Sequence, residues 1–158
     1  MKTNFQVEAI DVSEINHLFQ LGEEELSNFG AEWKTVNRAT GYPCRVSLQE
    51  SPMGEEVLLF AFKHHPVSSP YQASGPVFVR KNVETARLKP NELPAMLQSR
   101  LLSLRGYNRK GNLEESRTVE GKQLRGYLEE VFENQNVKYI HIHNSGAGCY
   151  MCNVKRVN

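Results

Sequence analysis

Residues Glu55 to Lys63, EEVLLFAFK, constrain the fold more than any other stretch. In an extended chain side chains alternate, so Leu58, Phe60 and Phe62 share one face while Val57, Leu59 and Ala61 share the other. The run is too short to cross a membrane, and a strand apolar on both faces needs cover on both sides. The chain must therefore build a sheet around this segment and lay other elements against it. With 158 residues, 39% of them hydrophobic and 23% charged, it has material for one globular domain, residues 1–158, with a real core.

The flanking sequence supplies the rest of the sheet. Phe5, Val7 and Ala9 alternate with polar residues and predict a first strand. Ser13 is placed to cap a short helix carrying Ile15, Leu18 and Phe19. Glu23, Glu24 and Glu25 favour the N-terminal end of a second helix, and Gly30 stops it. Residues 31–37 and 44–49 read as strands around the turn RATGYP. A Pro/Ser/Gly segment from His64 to Pro76 reads as a long loop before a strand at Val77 to Arg80. Asn91 to Ser99 predicts a short helix, with Pro94 in its first turn. Leu101–Tyr107 and Leu113–Val119 flank the turn NRKGN. Leu124, Tyr127, Leu128, Val131 and Phe132 recur at helical spacing within residues 120–134. Two last strands, Val137–His143 and Cys149–Val157, close on NSGAG. The sum is an α+β fold: a single domain with a mostly antiparallel sheet, a few packed helices and a C-terminal β-hairpin.

Composition narrows the function classes. No apolar run approaches the roughly 18 residues of a membrane span, and the N-terminal stretch lacks the pattern of a signal peptide, so a cytoplasmic location is expected. Three cysteines, an odd number, argue against a disulfide scaffold. Residues 1–79 carry 5 Lys/Arg and 10 Asp/Glu, a net of −5, while residues 80–158 carry 14 and 8, a net of +6. A basic half can serve an anionic partner. Its charges are scattered among glutamates, however, which argues against nucleic acid and favours a solvated surface of mixed charge, with a small anionic molecule as the candidate partner. No Gly-rich phosphate loop, H-E-x-x-H or G-x-S-x-G occurs.

Reactive side chains gather in two places. In HIHNSGAGCYMC, residues 141–152, His141 and His143 share a strand face while Ile140 and Ile142 take the other. Two histidines do not make a metal site, and Cys149 and Cys152, three apart in a strand, face opposite ways. The reading is therefore no metal, with a set of His141, His143, Cys149 and Cys152 kept as a third alternative. Cys149, after a glycine turn able to adopt positive φ, is a candidate nucleophile with His143 as its base and Asn144 beside them. A plain hairpin closure explains the same glycines.

The second place is residues 64–80, with His65, Tyr71, Ser74 and Arg80. His64 and His65 are adjacent and should point apart, so only one is expected to enter a given site. Prolines 66, 70 and 76 stiffen the segment. Arg45, Arg80 and Arg105 each lie in strand-like apolar sequence, where a charge must pair, snorkel or meet an anion.

The stretches GYPCRVSL, SPYQASGPVFVR, LLSLRGY and YIHIHNSGAGCYMCNVKR together resemble the bacterial family catalogued as domain of unknown function 1203. The resemblance runs from about Leu21 to Arg156. It implies a stand-alone bacterial domain with no assigned reaction. Cys44, Arg45, His65, Pro70, Tyr71, Ser74, Gly75, Arg80, Arg105, His143, Asn144, Gly148 and Cys149 fall in its motifs, and Cys152 does not.

These readings converge on a small-molecule site between the loop 64–80 and the hairpin 139–156. His65, His143 and Cys149 are its expected catalytic groups, and Arg45, Tyr71, Ser74, Arg80, Arg105 and Asn144 its ligand-binding groups. The alternative is a non-catalytic binding or interaction module. No cofactor, reaction or oligomeric state is legible in the sequence.

Overall fold

The structure, a computed structural model, describes residues 2–157. Ten strands form two five-stranded sheets rather than the one expected. The first sheet is antiparallel throughout. It runs in the order β1 (Asn4–Glu8), β10 (Tyr150–Val157), β9 (Tyr139–Asn144), β7 (Leu101–Tyr107) and β8 (Leu113–Glu120). The second orders β2 (Glu32–Thr35), β5 (Glu56–His65), β6 (Ala73–Arg80), β3 (Pro43–Cys44) and β4 (Gln49–Glu50). Its one parallel contact joins β3 to β6 through Cys44 and Phe78.

Each sheet has its own core. α3 (Leu124–Val131) presents Leu124, Leu128 and Val131 to Leu102, Leu104, Ile140, Ile142 and Val154 of the first sheet. On the second sheet Leu58, Phe60, Val77 and Val79 pack with Ile10, Ile15 and Leu18, and with Leu26 of α1 (Glu23–Asn28). Tyr150 of the first sheet joins this second core. Buried apolar area at about 25 cal/mol per Å² is the main force holding both layers. α2 (Ala95–Gln98) packs beside the turn at Gly121, where a Cβ would come 1.8 Å from the Leu97 carbonyl oxygen. Only glycine fits so close an approach.

Several local expectations shift. The first helix becomes two 3₁₀ turns, Val12–Glu14 and Asn16–Gln20, and Asp11 rather than Ser13 caps the first by accepting from the Ser13 amide. Residues 44–49 are not one strand: the chain turns between β3 and β4, with Leu48 at φ 55°. The helix at 91–99 shrinks to α2, with Pro94 as its cap. β5 is covered on the face of Leu58 and Phe60, yet Ala61 is exposed on the other. The supposed loop 64–76 is mostly hairpin, because β5 runs on to His65 and β6 starts at Ala73. Among the described residues no helix is long and apolar enough to cross a membrane.

Candidate functional site

Strand alternation in β9 sends Ile140 and Ile142 into the α3 core and turns Tyr139, His141 and His143 the other way. Register then selects their neighbours. On β7, Ser103, Arg105 and Tyr107 stand opposite His143, His141 and Tyr139 respectively. On β10, Tyr150 stands opposite His143 and Asn153 opposite His141. An extra residue between Tyr150 and Cys152 shifts the register and leaves Cys152 opposite Ile142, in the core. One face of the first sheet is thus apolar and the other a field of imidazoles, phenols and one guanidinium.

The tip of the β5–β6 hairpin closes over that field. Between the pairs Phe62–Gly75 and His65–Ala73, β5 spends three steps against two on β6, which is a β-bulge. The extra residue lets both adjacent histidines face the cluster. The His64 ring lies 6.1 Å and the His65 ring 4.9 Å from that of His141. His64 also stacks on Tyr150 at 4.9 Å and 5°, and meets His143 edge-on at 5.1 Å. Tyr107 and Tyr139 stack at 5.5 Å and cover His65 from the far side.

Hydrogen bonds sort these histidines into two kinds. His65 Nδ1 donates to the Tyr71 carbonyl at 2.7 Å, so its Nε2 accepts from the Tyr139 hydroxyl at 2.6 Å. Both nitrogens are occupied, and His65 is a structural link. His143 Nδ1 donates to the Gly148 carbonyl at 2.8 Å, which leaves the lone pair on Nε2. Nε2 of His143, Nδ1 of His141 and Nδ1 of His64 are all buried without a hydrogen-bond partner. One ring nitrogen from each of His64, His141 and His143 lies within 4.8 Å of the others.

Burial and mutual proximity keep these three rings neutral. Desolvation is the main cause of the drop to about 4 in His64, with His65 and Arg105 adding to it. Desolvation also lowers His141 to about 2, helped by the neighbouring histidines and Arg105. In His143 desolvation outweighs the bond to Gly148 and brings the ring to about 4. At neutral pH all three therefore offer lone pairs rather than charge. Arg105 is the local cation: it is half-buried, its Nε reaches Ser103 Oγ at 3.3 Å, and no carboxylate pairs with it among the described residues. A cleft of about 360 Å³, lined in part by His64, His65, Tyr139, His141, Tyr150 and Asn153, opens onto the cluster. A larger depression of about 670 Å³, beside Leu48, Glu50, Arg87 and Met96, contains none of these residues.

The residues singled out from sequence separate accordingly. His65, His143 and Arg105 meet on this face, with Tyr71 at the rim, edge-on to Tyr107 at 6.2 Å. Arg80 lies at the other end of the hairpin from His65, opposite Val57, and binds Glu55 at 3.0 Å. Arg45 is 2% exposed and is consumed by the carbonyls of Tyr150 and Pro43, both at 2.8 Å. Ser74 is exposed and alternates away from Gly75, the residue that faces His64. Asn144 shares the parity of Ile142, so it looks to the opposite face and meets Met151 Sδ at 3.3 Å. The Ser145–Gly148 turn closes the hairpin, with the Asn144 amide on the Cys149 carbonyl and the Ser145 amide on Leu101. Cys149 is partly exposed and outside the histidine group.

Sequence reasoning chose His65 where the bulge also delivers His64; it kept His141 only in the metal alternative and left out Tyr107, Tyr139 and Tyr150. The alternation in YIHIH does signal His141. Nothing local signals the bulge.

A family model described as Protein of unknown function (DUF1203) matches residues 41–156, a span that includes all three clustered histidines and Arg105. No curated protein and no solved structure matches the chain.

Proposed function

The chain belongs to the DUF1203 family, and we propose that it binds a small anionic molecule where the β5–β6 tip meets the polar face of β7, β9 and β10. One observation carries the reading: Arg105 stands half-buried among neutral imidazoles and phenols with no carboxylate partner among the described residues. A half-buried guanidinium without a counter-charge carries a desolvation cost, and an anion docking against it removes that cost. His64, His141, Tyr139 and Tyr150 line the adjoining cleft, and His65 fixes the Tyr139 hydroxyl. The reading is binding rather than thiol catalysis, because Cys149 lies outside the histidine cluster. A docking-surface reading needs a continuous apolar patch. The large exposed hydrophobic side chains Phe29, Met53, Tyr71 and Leu101 come instead from four separate segments.

Calorimetric titration of the full chain with inorganic phosphate and with acetate tests the proposal. Saturable one-site binding is expected, weakened at least about tenfold in Arg105→Gln and unchanged in Arg80→Gln. Absence of saturable binding of either anion, or equal affinity in Arg105→Gln, overturns it.

A further inference from the structure

Three histidines that bring ring nitrogens together and each bury a nitrogen without a partner are expensive to hold unless something satisfies them. His141 is 5% and His143 1% exposed, and neither His141 Nδ1 nor His143 Nε2 has a hydrogen-bond partner. A buried nitrogen lone pair without a partner costs on the order of 1–3 kcal/mol, so two or three side by side need a common occupant. Water could fill such a place at a single nitrogen. Three ring nitrogens, one from each histidine, within 4.8 Å of one another and with no acid in the group suit a cation that prefers imidazole.

We propose that His64 Nδ1, His141 Nδ1 and His143 Nε2 bind one zinc ion, with a fourth position open toward the cleft. Three protein nitrogens and one exchangeable ligand is the arrangement of zinc sites that accept a small molecule. His143 already has the supporting contact such a ligand requires, its other ring nitrogen donating to a backbone carbonyl at 2.8 Å. Zn–N bonds of about 2.05 Å in a tetrahedron place the nitrogens about 3.4 Å apart, so the rings must close by roughly 1 to 1.5 Å. His64 can supply that movement, since it is only half-buried and stands on a bulge at a hairpin tip. The cleft beside His64 and His141 gives the ion a way in.

The ligand set differs from the one the sequence offered for metal. Cys152 is fully buried in the opposite core, and Cys149 does not reach the group. Three neutral ligands leave the ion its full double charge, and Arg105 stands across from His141, so the fourth ligand is an anion or hydroxide. The inference shares its cleft with the anion reading but does not rest on Arg105.

The test uses untagged full-length protein stripped with a chelator and titrated with zinc chloride against a chromophoric chelator. One zinc per chain at submicromolar affinity is expected. His143→Ala and His64→Ala should each lose at least about 100-fold in affinity, while Arg80→Gln, at the far end of the hairpin, keeps wild-type affinity. Should His143→Ala fail to fold, judged by circular dichroism, the half-exposed His64→Ala carries the test. Cobalt loading adds a second readout, a visible spectrum of tetrahedral nitrogen coordination in wild type that is lost in His64→Ala. Zinc binding weaker than about 10 μM, binding that survives His64→Ala, or binding abolished by Cys149→Ser overturns the metal site. Wild-type protein that binds zinc but not phosphate fails the anion reading alone, and protein that binds phosphate but not zinc fails the metal site alone.

Discussion

His143 donates its Nδ1 hydrogen to the carbonyl of Gly148 at 2.8 Å, and that bond decides which nitrogen faces the cluster. Gly148 sits at φ 83°, in the left-handed region that costs an L-residue roughly 1–2 kcal/mol. Gly148→Ala should therefore destabilise the fold by about that amount in urea unfolding. It should also lower zinc affinity about tenfold, because the carbonyl that orients His143 shifts with the turn. Wild-type stability and affinity together would break the link between turn and ligand.

His65 and Tyr139 form the neighbouring link, and it is structural. Tyr139→Phe leaves the buried His65 Nε2 without a donor, at a cost of about 1–3 kcal/mol. Zinc titration of the same variant should match wild type, since His65 has no free nitrogen. A loss of affinity comparable to that of His64→Ala would place His65 among the ligands instead.

Arg45 and Arg80 look alike in sequence and should respond differently to truncation. Arg45→Ala removes a buried guanidinium bonded to two carbonyls and should cost about 2–5 kcal/mol in denaturant unfolding. Arg80→Ala breaks a partly exposed pair with Glu55 and should cost about 1 kcal/mol or less. Equal losses would contradict the two environments.

The three thiols should react in order of burial. Cys44 and Cys152 are wholly buried and Cys149 is partly exposed, so native protein at pH 8 should take up one alkylating group per chain, at Cys149. Burial pushes the Cys152 thiol from its ordinary 9 up to about 12, the nearby Arg45 acting weakly against it. The folded state thus holds Cys152 protonated. Its contribution is present below about pH 9 and is lost as pH rises from 9 toward 12. Stability measured across that window should fall less steeply in Cys152→Ala. Rapid native labelling of Cys152 at pH 8 would contradict its burial.

Much of the site's frame was legible because it follows from period-two alternation. YIHIH alone separates Ile140 and Ile142 from His141 and His143, and β9 folds that way. The α3 stripe is likewise local and stands where its spacing put it. The rest depends on partners distant in sequence. That His64 joins His65 depends on a one-residue bulge against β6, and that Cys152 is lost to the core depends on another in β10. Which arginine stays unpaired depends on Glu55 reaching Arg80 and on Tyr150 and Pro43 offering carbonyls to Arg45. The division into two sheets is of the same kind, since β1 finds β10 and β3 finds β6 only after the chain collapses.

The most direct measurement is an anomalous difference map at the zinc edge, from crystals of the untagged protein soaked in zinc and phosphate. The account predicts one zinc peak bounded by His64, His141 and His143, with phosphate on its Arg105 side. A zinc peak at Cys149, no peak at the histidines, or phosphate bound at Arg80 would contradict it.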